Sequence, residues 1–227
     1  MTTVRVDFRV YLITDRRKAP GGDIMRAVAL ALDGGVRAVQ LREKDLPGQE
    51  LYRLAGRIRE LTARYGARLL VNDRVDVALA IGADGVHLGG SSIPASVARR
   101  VLGKEPLIGC STHSTRELRD AAAQGADFAT FGPVYPTPSK AAYGPPVGIA
   151  ALATACRETN LPLFALGGVG AENAREVIEA GAFGIALISY VFAAADPREA
   201  ARKLLACFTI NHAAARTSGK TAKEGGA

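Results

Sequence analysis

The groups in this chain best placed to do chemistry are cations, amides and hydroxyls. Gln40, Arg42 and Lys44 alternate through QLREK, a basic row suited to phosphoryl oxygens. Thr137, Ser139 and Lys140 stand in PTPSK and offer two hydroxyl donors and a cation to a second phosphate group. Pro133, Pro136 and Pro138 restrict that segment before any ligand arrives, which lowers the cost of ordering it. Asn72 beside Asp73 suits a hard divalent ion that takes oxygen ligands. Gly167 and Gly168, with Ile188 and Ser189, make a second anion site in which bare backbone N–H groups can approach a phosphate. His113, next to Ser111 in GCSTHS, has the chemistry of a general acid or base near neutral pH.

Each group also has a plainer reading. The basic row could form surface ion pairs with Glu43 and Asp45. Asn72 and Asp73 could cap the helix that follows, and His113 could do the same for the next one. The glycines could serve only tight turns, and Thr137 to Lys140 could be an ordinary surface loop. His87, inside GVHLG, reads as a core histidine with satisfied hydrogen bonds.

What would bring these positions together is a repeated strand and helix order. Eight short apolar runs, VYLITD, AVQLRE, RLLVND, GVHLG, PLIGCS, FATFGP, LFALGG and GIALIS, are separated by stretches of helical period, the pattern of an α/β chain closing into a parallel (β/α)8 TIM barrel. Ile24, Ala27, Val28, Ala31 and Leu32 form one apolar helix stripe, and Leu51, Leu54, Ala55, Ile58 and Leu61 form another. Ser114 with Glu117 reads as a capping box, and Asp196–Pro197 as a helix start. In such barrels the chemistry sits at the C-terminal strand ends, where the candidate groups fall. Along strand two the apolar Val39 and Leu41 suit the helix layer, which leaves Gln40 and Arg42 facing the barrel mouth.

The bulk properties agree. With 227 residues, 48% hydrophobic, and a mean hydropathy of +0.09, residues 1–210 are expected to form a single barrel domain. The small, polar segment 211–227 is expected to be a disordered tail, and His212 within it takes no role. A net charge of +7 favours anionic small substrates, while the absence of Trp and an aromatic content of 6% argue against nucleic acid as a partner. Three scattered cysteines argue against a disulfide framework and fit a reducing cytoplasm. Charged residues near the N-terminus argue against a signal peptide. The apolar run 180–195 is too short for a bilayer, which needs about 20 residues, so no membrane partner is expected. A homo-oligomer stays open.

YLITD, QLREKD, VNDRVDVAL, DGVHLG, IGCSTHS, FGPVYPTPSK, LGGV and GIALIS, in this order, resemble the thiamine-phosphate synthase and thiazole tautomerase superfamily, whose fold is a (β/α) barrel. The resemblance implies a transferase of thiamine biosynthesis that joins hydroxymethylpyrimidine diphosphate to a thiazole phosphate, releasing diphosphate with Mg²⁺. It places Arg42, Lys44, Asn72, Ser111, Thr137, Ser139 and Lys140 on the diphosphate, Gln40 on the pyrimidine, and Gly168, Ile188 and Ser189 on the thiazole phosphate. Asp73 and the position of Ser92 would face Mg²⁺, and Lys140, Ser111 and His113 are the expected catalytic groups. Two departures stand out. HLGGSSIP gives Gly90 and Ser92 where synthases usually carry glutamine and then an aspartate, and neutral serine is a poorer ligand for a hard cation. AAYGPPVG replaces the more usual acidic continuation after Lys140. In the first respect the chain is similar to the tautomerase branch, which isomerises a thiazole carboxylate phosphate without metal and is thought to use the histidine matching His113. A non-catalytic barrel that binds a thiazole or thiamine phosphate is a third reading. Retention of Arg42, Lys44, Asp73, Thr137 and Lys140 favours the synthase, because a tautomerase has little use for a complete diphosphate clamp.

Overall fold

The computed structural model describes residues 6–137 and 144–217. Eight parallel strands, β1 (Val10–Ile13), β2 (Ala38–Leu41), β3 (Arg68–Asn72), β4 (Gly85–Leu88), β5 (Leu107–Thr112), β6 (Phe128–Phe131), β7 (Leu163–Leu166) and β8 (Gly184–Leu187), run in chain order around a closed barrel. β8 pairs with β1 to complete it. The outside is covered by α1 (Ile24–Asp33), α2 (Gly48–Arg64), α3 (Val75–Ala80), α4 (Ala95–Leu102), α5 (Thr115–Ala123), α6 (Gly148–Glu158), α7 (Ala174–Glu179), α8 (Ser189–Phe192) and α9 (Pro197–Thr217). Every strand lies on one of the eight apolar runs. Strands covered on both faces read as continuous apolar segments, which is why they stand out in the sequence.

Period-two alternation splits the core in two. Leu12, Val39, Leu41, Leu69, Val71, Val86, Ile108, Ala129 and Ile185 face outward against helix residues such as Val28, Ala55, Ile58, Leu118, Leu152 and Val177. Phe8, Tyr11, Ile13, Ala38, Leu70, Phe128, Phe164 and Ala186 fill the inside. The rings of Phe8, Tyr11, Phe128 and Phe164 pack tilted or edge-on at centroid distances of 5.3–6.0 Å, the geometry their quadrupoles prefer. So much aromatic volume fits because glycines stand beside it. A Cβ at Gly109 would collide with Phe128 and His87, and one at Gly184 with Phe164. The aromatic plug closes the barrel below its mouth and leaves the upper strand residues free to line a cavity.

The helices follow local rules. α1 buries Ile24, Ala27, Val28, Ala31 and Leu32, and Asp23 caps it by accepting from the Arg26 N–H at 3.0 Å. α2 buries Leu51, Ala55, Ile58 and Thr62, a stripe rotated slightly from the expected one, so that Leu54 and Leu61 are only half-buried. Ser114 caps α5 through the Glu117 N–H at 3.2 Å, and Glu117 reaches back to the His113 N–H at 2.8 Å. The capping box therefore closes one residue earlier than its usual form. Asp196 accepts from the N–H groups of Arg198 and Glu199 at the start of α9.

α9 extends past the last apolar residues of its stripe. It runs through 211–217, where the sequence suggests a disordered tail. The stretch NHAAART loses apolar periodicity but holds three alanines and neither Gly nor Pro, so helix propensity carries on after the packing signal stops. Residues 218–227 lie outside the described residues. The apolar run 180–195 forms β8 and α8, and among the described residues no helix is long and apolar enough to cross a membrane.

Candidate active site

A cavity of about 520 Å³ opens at the C-terminal ends of the strands. Its lining contains Gln40, Arg42, Lys44, Asn72, Ser111, His113, Thr137, Gly167, Gly168, Ile188 and Ser189, so residues up to 149 positions apart in the chain share one mouth. Lys18, His87, Gly89, Gly90, Ser91 and Thr130 add to its polar wall, and Ile13, Leu166, Ala186 and Leu187 stand in its apolar one. Ser139 and Lys140 lie outside the described residues.

The β1 and β2 ends sort the charges. Gln40 is buried inside the barrel and donates to the Tyr11 hydroxyl at 3.1 Å, while burial holds that phenol well above its usual pKa. The Arg42 backbone N–H donates to Thr14 Oγ1 at 2.9 Å, and the Thr14 hydroxyl in turn donates to Glu43 Oε1 at 2.7 Å. The buried Glu43 carboxylate also accepts from the Arg16 backbone and guanidinium at 3.1–3.2 Å. Asp45 is held by Arg16 at 2.6 and 2.7 Å and by Arg17 at 2.7 Å, and the Arg16 contact keeps its carboxyl well below the usual carboxylate range. The sequence neighbours Glu43 and Asp45 thus pair with the β1–α1 loop. No ion pair engages Arg42 or Lys44 among the described residues.

Asp73 follows Asn72 at the end of β3 and is exposed, just outside the cavity lining. It does not cap α3, whose N-cap residue is Arg74 without a side-chain hydrogen bond. Its φ of +64° makes it a left-handed non-glycine residue, held by the bond from its N–H to the His87 carbonyl at 2.9 Å and by the Arg74 N–H to Asn72 O bond at 2.7 Å. Such a conformation costs about 1–3 kcal/mol and persists where the surroundings impose it. Ser92 also stands outside the lining. Its Oγ accepts from the Gly89 N–H at 2.8 Å, closing the turn after β4. Among the described residues no group of three or more His, Cys, Asp or Glu side chains forms a metal-binding cluster.

His87 is buried as expected of a core histidine, yet only one of its nitrogens is satisfied. Nε2 lies 3.0 Å from Ser111 Oγ and 3.5 Å from Thr130 Oγ1, while Nδ1 has no hydrogen-bond partner among the described residues. Burial, reinforced by the nearby Arg42 charge, pushes the imidazole down to about 3, so the ring is neutral at physiological pH. An unpaired buried N–H is the costlier orphan, which puts the proton on Nε2, donating to Ser111. Ser111 then keeps its own O–H for an acceptor in the cavity. His113 is half-exposed, and its Nδ1 meets Glu117 Oε2 at 3.1 Å.

On the far side, Gly167 and Gly168 have φ of +97° and +67°, and a Cβ on either would press on Pro133 or Tyr135. Their backbone therefore needs glycine for geometry, and the same bareness exposes it to the cavity. Asn173 fixes the loop by donating to the Gly168 carbonyl and accepting from the Gly170 N–H, both at 2.9 Å. Lys18 Nζ donates to Ser189 Oγ at 2.8 Å.

A cavity with unpaired cations on one side and a glycine-rich loop on the other agrees with what the chain is similar to. Residues 10–191 match the family described as thiamine monophosphate synthase. The chain belongs to the thiamine-phosphate synthase family. It is 45% identical over 195 residues to a thiamine-phosphate synthase of Roseiflexus sp. strain RS-1, covering 86% of this chain and 83% of that one. It is 61% identical over 202 residues to a Geobacter sulfurreducens protein provisionally named for the same activity, covering 89% of this chain and 95% of the other. Among solved structures, a thiamine phosphate pyrophosphorylase from Pyrococcus furiosus superposes with a TM-score of 0.84 at 38% identity, covering 92% of this chain and 98% of that one. Within this thiamine-phosphate synthase family barrel, the cavity also contains residues that the sequence reading left out. Lys18 was signalled only by the cation run Arg16–Arg17–Lys18 directly after β1, and Thr130 only by its inward register on β6.

Proposed function

We propose that this barrel joins hydroxymethylpyrimidine diphosphate to hydroxyethylthiazole phosphate, forming thiamine phosphate and releasing diphosphate. The observation that carries this reading is that Arg42 and Lys44 reach the cavity without an acid partner among the described residues, while Arg16 sequesters the adjacent acids. In the reaction the bond between the pyrimidine methylene carbon and the diphosphate oxygen breaks, and its electron pair leaves with the oxygen. The thiazole nitrogen lone pair then forms the new C–N bond. Charge builds on the departing diphosphate, so fixed donors aimed at its oxygens lower the barrier most. Arg42, Lys44, the Asn72 amide and the Ser111 hydroxyl take that part, joined by Thr137, Ser139 and Lys140. Gln40, held by Tyr11, orients the pyrimidine. The wall of Ile13, Leu166, Ala186 and Leu187 keeps water from capturing the electron-poor carbon in place of the thiazole.

Asp73 would hold Mg²⁺. Its carboxylate has no hydrogen bond or ion pair among the described residues, and the adjacent Arg74 guanidinium is committed to Asp76 at 2.6 and 2.8 Å. One protein carboxylate, with substrate phosphate oxygens and waters filling the other positions, is a normal set for this ion. Ser92, tied into its turn, adds no charge. When bound, Mg²⁺ supplies neutralisation of the leaving diphosphate. The free thiols of Cys110, Cys156 and Cys207 suit a cytoplasmic enzyme.

The test is turnover by purified protein with both substrates, with and without Mg²⁺. Thiamine phosphate and diphosphate should form together in Mg²⁺ and stop on chelation. No product at high enzyme concentration would end the reading. Metal-independent isomerisation of a thiazole carboxylate phosphate, abolished by His113→Ala, would replace it with the tautomerase, and tight thiazole phosphate binding without either turnover with a binding protein.

A further inference from the structure

Lys18 lies on the loop from β1 to α1 and lines the cavity. Its Nζ donates to Ser189 Oγ at 2.8 Å, a contact between residues 171 positions apart that exists because β1 and β8 are neighbours in the closed sheet. The other charged partner is Asp15 Oδ2 at 3.6 Å, beyond the roughly 2.7–2.9 Å of a strong charged hydrogen bond. Asp15 is already occupied through Oδ1, which accepts from the Arg17 N–H. An ammonium has three donors, so Lys18 keeps donor capacity for a ligand. Of the three successive cations after β1, Arg16 and Arg17 are bound to Asp45, and Lys18 is the member of the run that faces the cavity.

Accepting from Lys18 also orients Ser189. Its oxygen lone pair is used by the ammonium, so its own O–H points to another acceptor. Ile188 and Gly168 line the same cavity. An ammonium and a hydroxyl donor set beside bare glycine backbone favour a doubly charged phosphoryl group over a neutral alcohol. We infer that Lys18 is the cationic ligand for the phosphate that the thiazole substrate keeps, and that it sets the preference for phosphorylated over unphosphorylated thiazole alcohol. This inference rests on the proposed synthase reaction. The Lys18 side chain is partly exposed, so substitution there leaves the core untouched.

The experiment compares steady-state kinetics of wild type, Lys18→Met and Lys18→Arg with Mg²⁺ present, each checked for an unchanged melting temperature. Loss of a charge-assisted hydrogen bond should raise KM for thiazole phosphate in Lys18→Met by roughly 10- to 100-fold. KM for the pyrimidine diphosphate should stay within about twofold, Lys18→Arg should recover most of the loss, and discrimination against the unphosphorylated alcohol should fall by the same factor. An unchanged KM for thiazole phosphate, an equal loss with the alcohol, or a rise confined to the diphosphate substrate would overturn the assignment. Absence of turnover in the wild type would instead defeat the synthase reading. Calorimetric titration with thiazole phosphate then decides the role of Lys18, equal affinity in wild type and Lys18→Met counting against it.

Discussion

At the scale of single residues, His87 makes a prediction that depends on its protonation. The folded protein keeps this ring neutral down to about pH 3, whereas a histidine in the unfolded chain titrates near 6.5. Below that value the unfolded state binds a proton that the fold refuses, so stability is present above about pH 6.5 and falls as the pH drops towards 3. Between pH 7 and 5 this one group costs about 2 kcal/mol. His87→Gln keeps a side-chain donor near Ser111 and does not titrate. Urea unfolding at the two pH values should therefore show a smaller acid loss in the variant, by about that amount; equal losses would mean that the buried ring accepts a proton in the fold. The same residue marks the limit of reading a site from sequence. That His87 is in the core follows from its strand, but its unsatisfied Nδ1 depends on the bare Cα of Gly109 across the ladder. Glu43 and Asp45 look like partners for Arg42 and Lys44 because they adjoin them in the chain. The pairing with Arg16 crosses between strand ends 27 and 29 positions apart, and only the closed sheet makes those ends neighbours.

Among the secondary-structure elements, the inward face of β5 leaves no room for an added atom. Gly109 is in register with His87 on β4 and Phe128 on β6, and a methyl group there meets both rings. Gly109→Ala is expected to destabilise by about 1–3 kcal/mol through overpacking and to disturb Ser111 two residues further up the strand. Gly56→Ala, inside α2 with open space around the added atom, is expected to stabilise by up to about 1 kcal/mol. Denaturant midpoints of the two variants measure both effects, and a neutral Gly109→Ala would show that the rings can part without cost. All eight strands and the stripe of α1 were legible, because burial on both faces and helical spacing write themselves into four to ten residues. The rotation of α2 that buries Thr62 was not, since it depends on which neighbour the helix meets. Neither was the left-handed turn at Asp73, which the His87 carbonyl on the next strand helps to hold.

For the whole molecule, the question is how much of the chain the site needs. Cavity residues run from Ile13 to Tyr190, and each of the eight strands contributes through its own end or the loop that follows it, so the site draws on every strand of the barrel. α9 comes after them and is still part of the barrel's cover. It buries Ala200, Ala201 and Leu204, Arg198 pairs with Asp33 at 2.8 Å, and a Cβ on Gly34 would press on the Arg198 carbonyl and Ala201, so the helix lies directly on the end of α1. Leu204 is fully buried and Leu205 and Phe208 pack partly buried against the core, which at roughly 1.5–3 kcal/mol per fully buried large side chain contributes a few kcal/mol, a substantial part of the 5–15 kcal/mol that usually separates folded from unfolded chains. No such packing is indicated by the sequence after Ile210, where apolar periodicity ends although the helix continues. Deleting 211–227 should therefore leave turnover unchanged and the melting temperature within about 2 °C, while deleting 197–227 should give a chain that aggregates or melts far lower. Thermal melts read together with the diphosphate-release assay distinguish the two cases. A drop in turnover at constant melting temperature after the shorter deletion would show that the last residues reach the cavity mouth and serve the reaction rather than the fold.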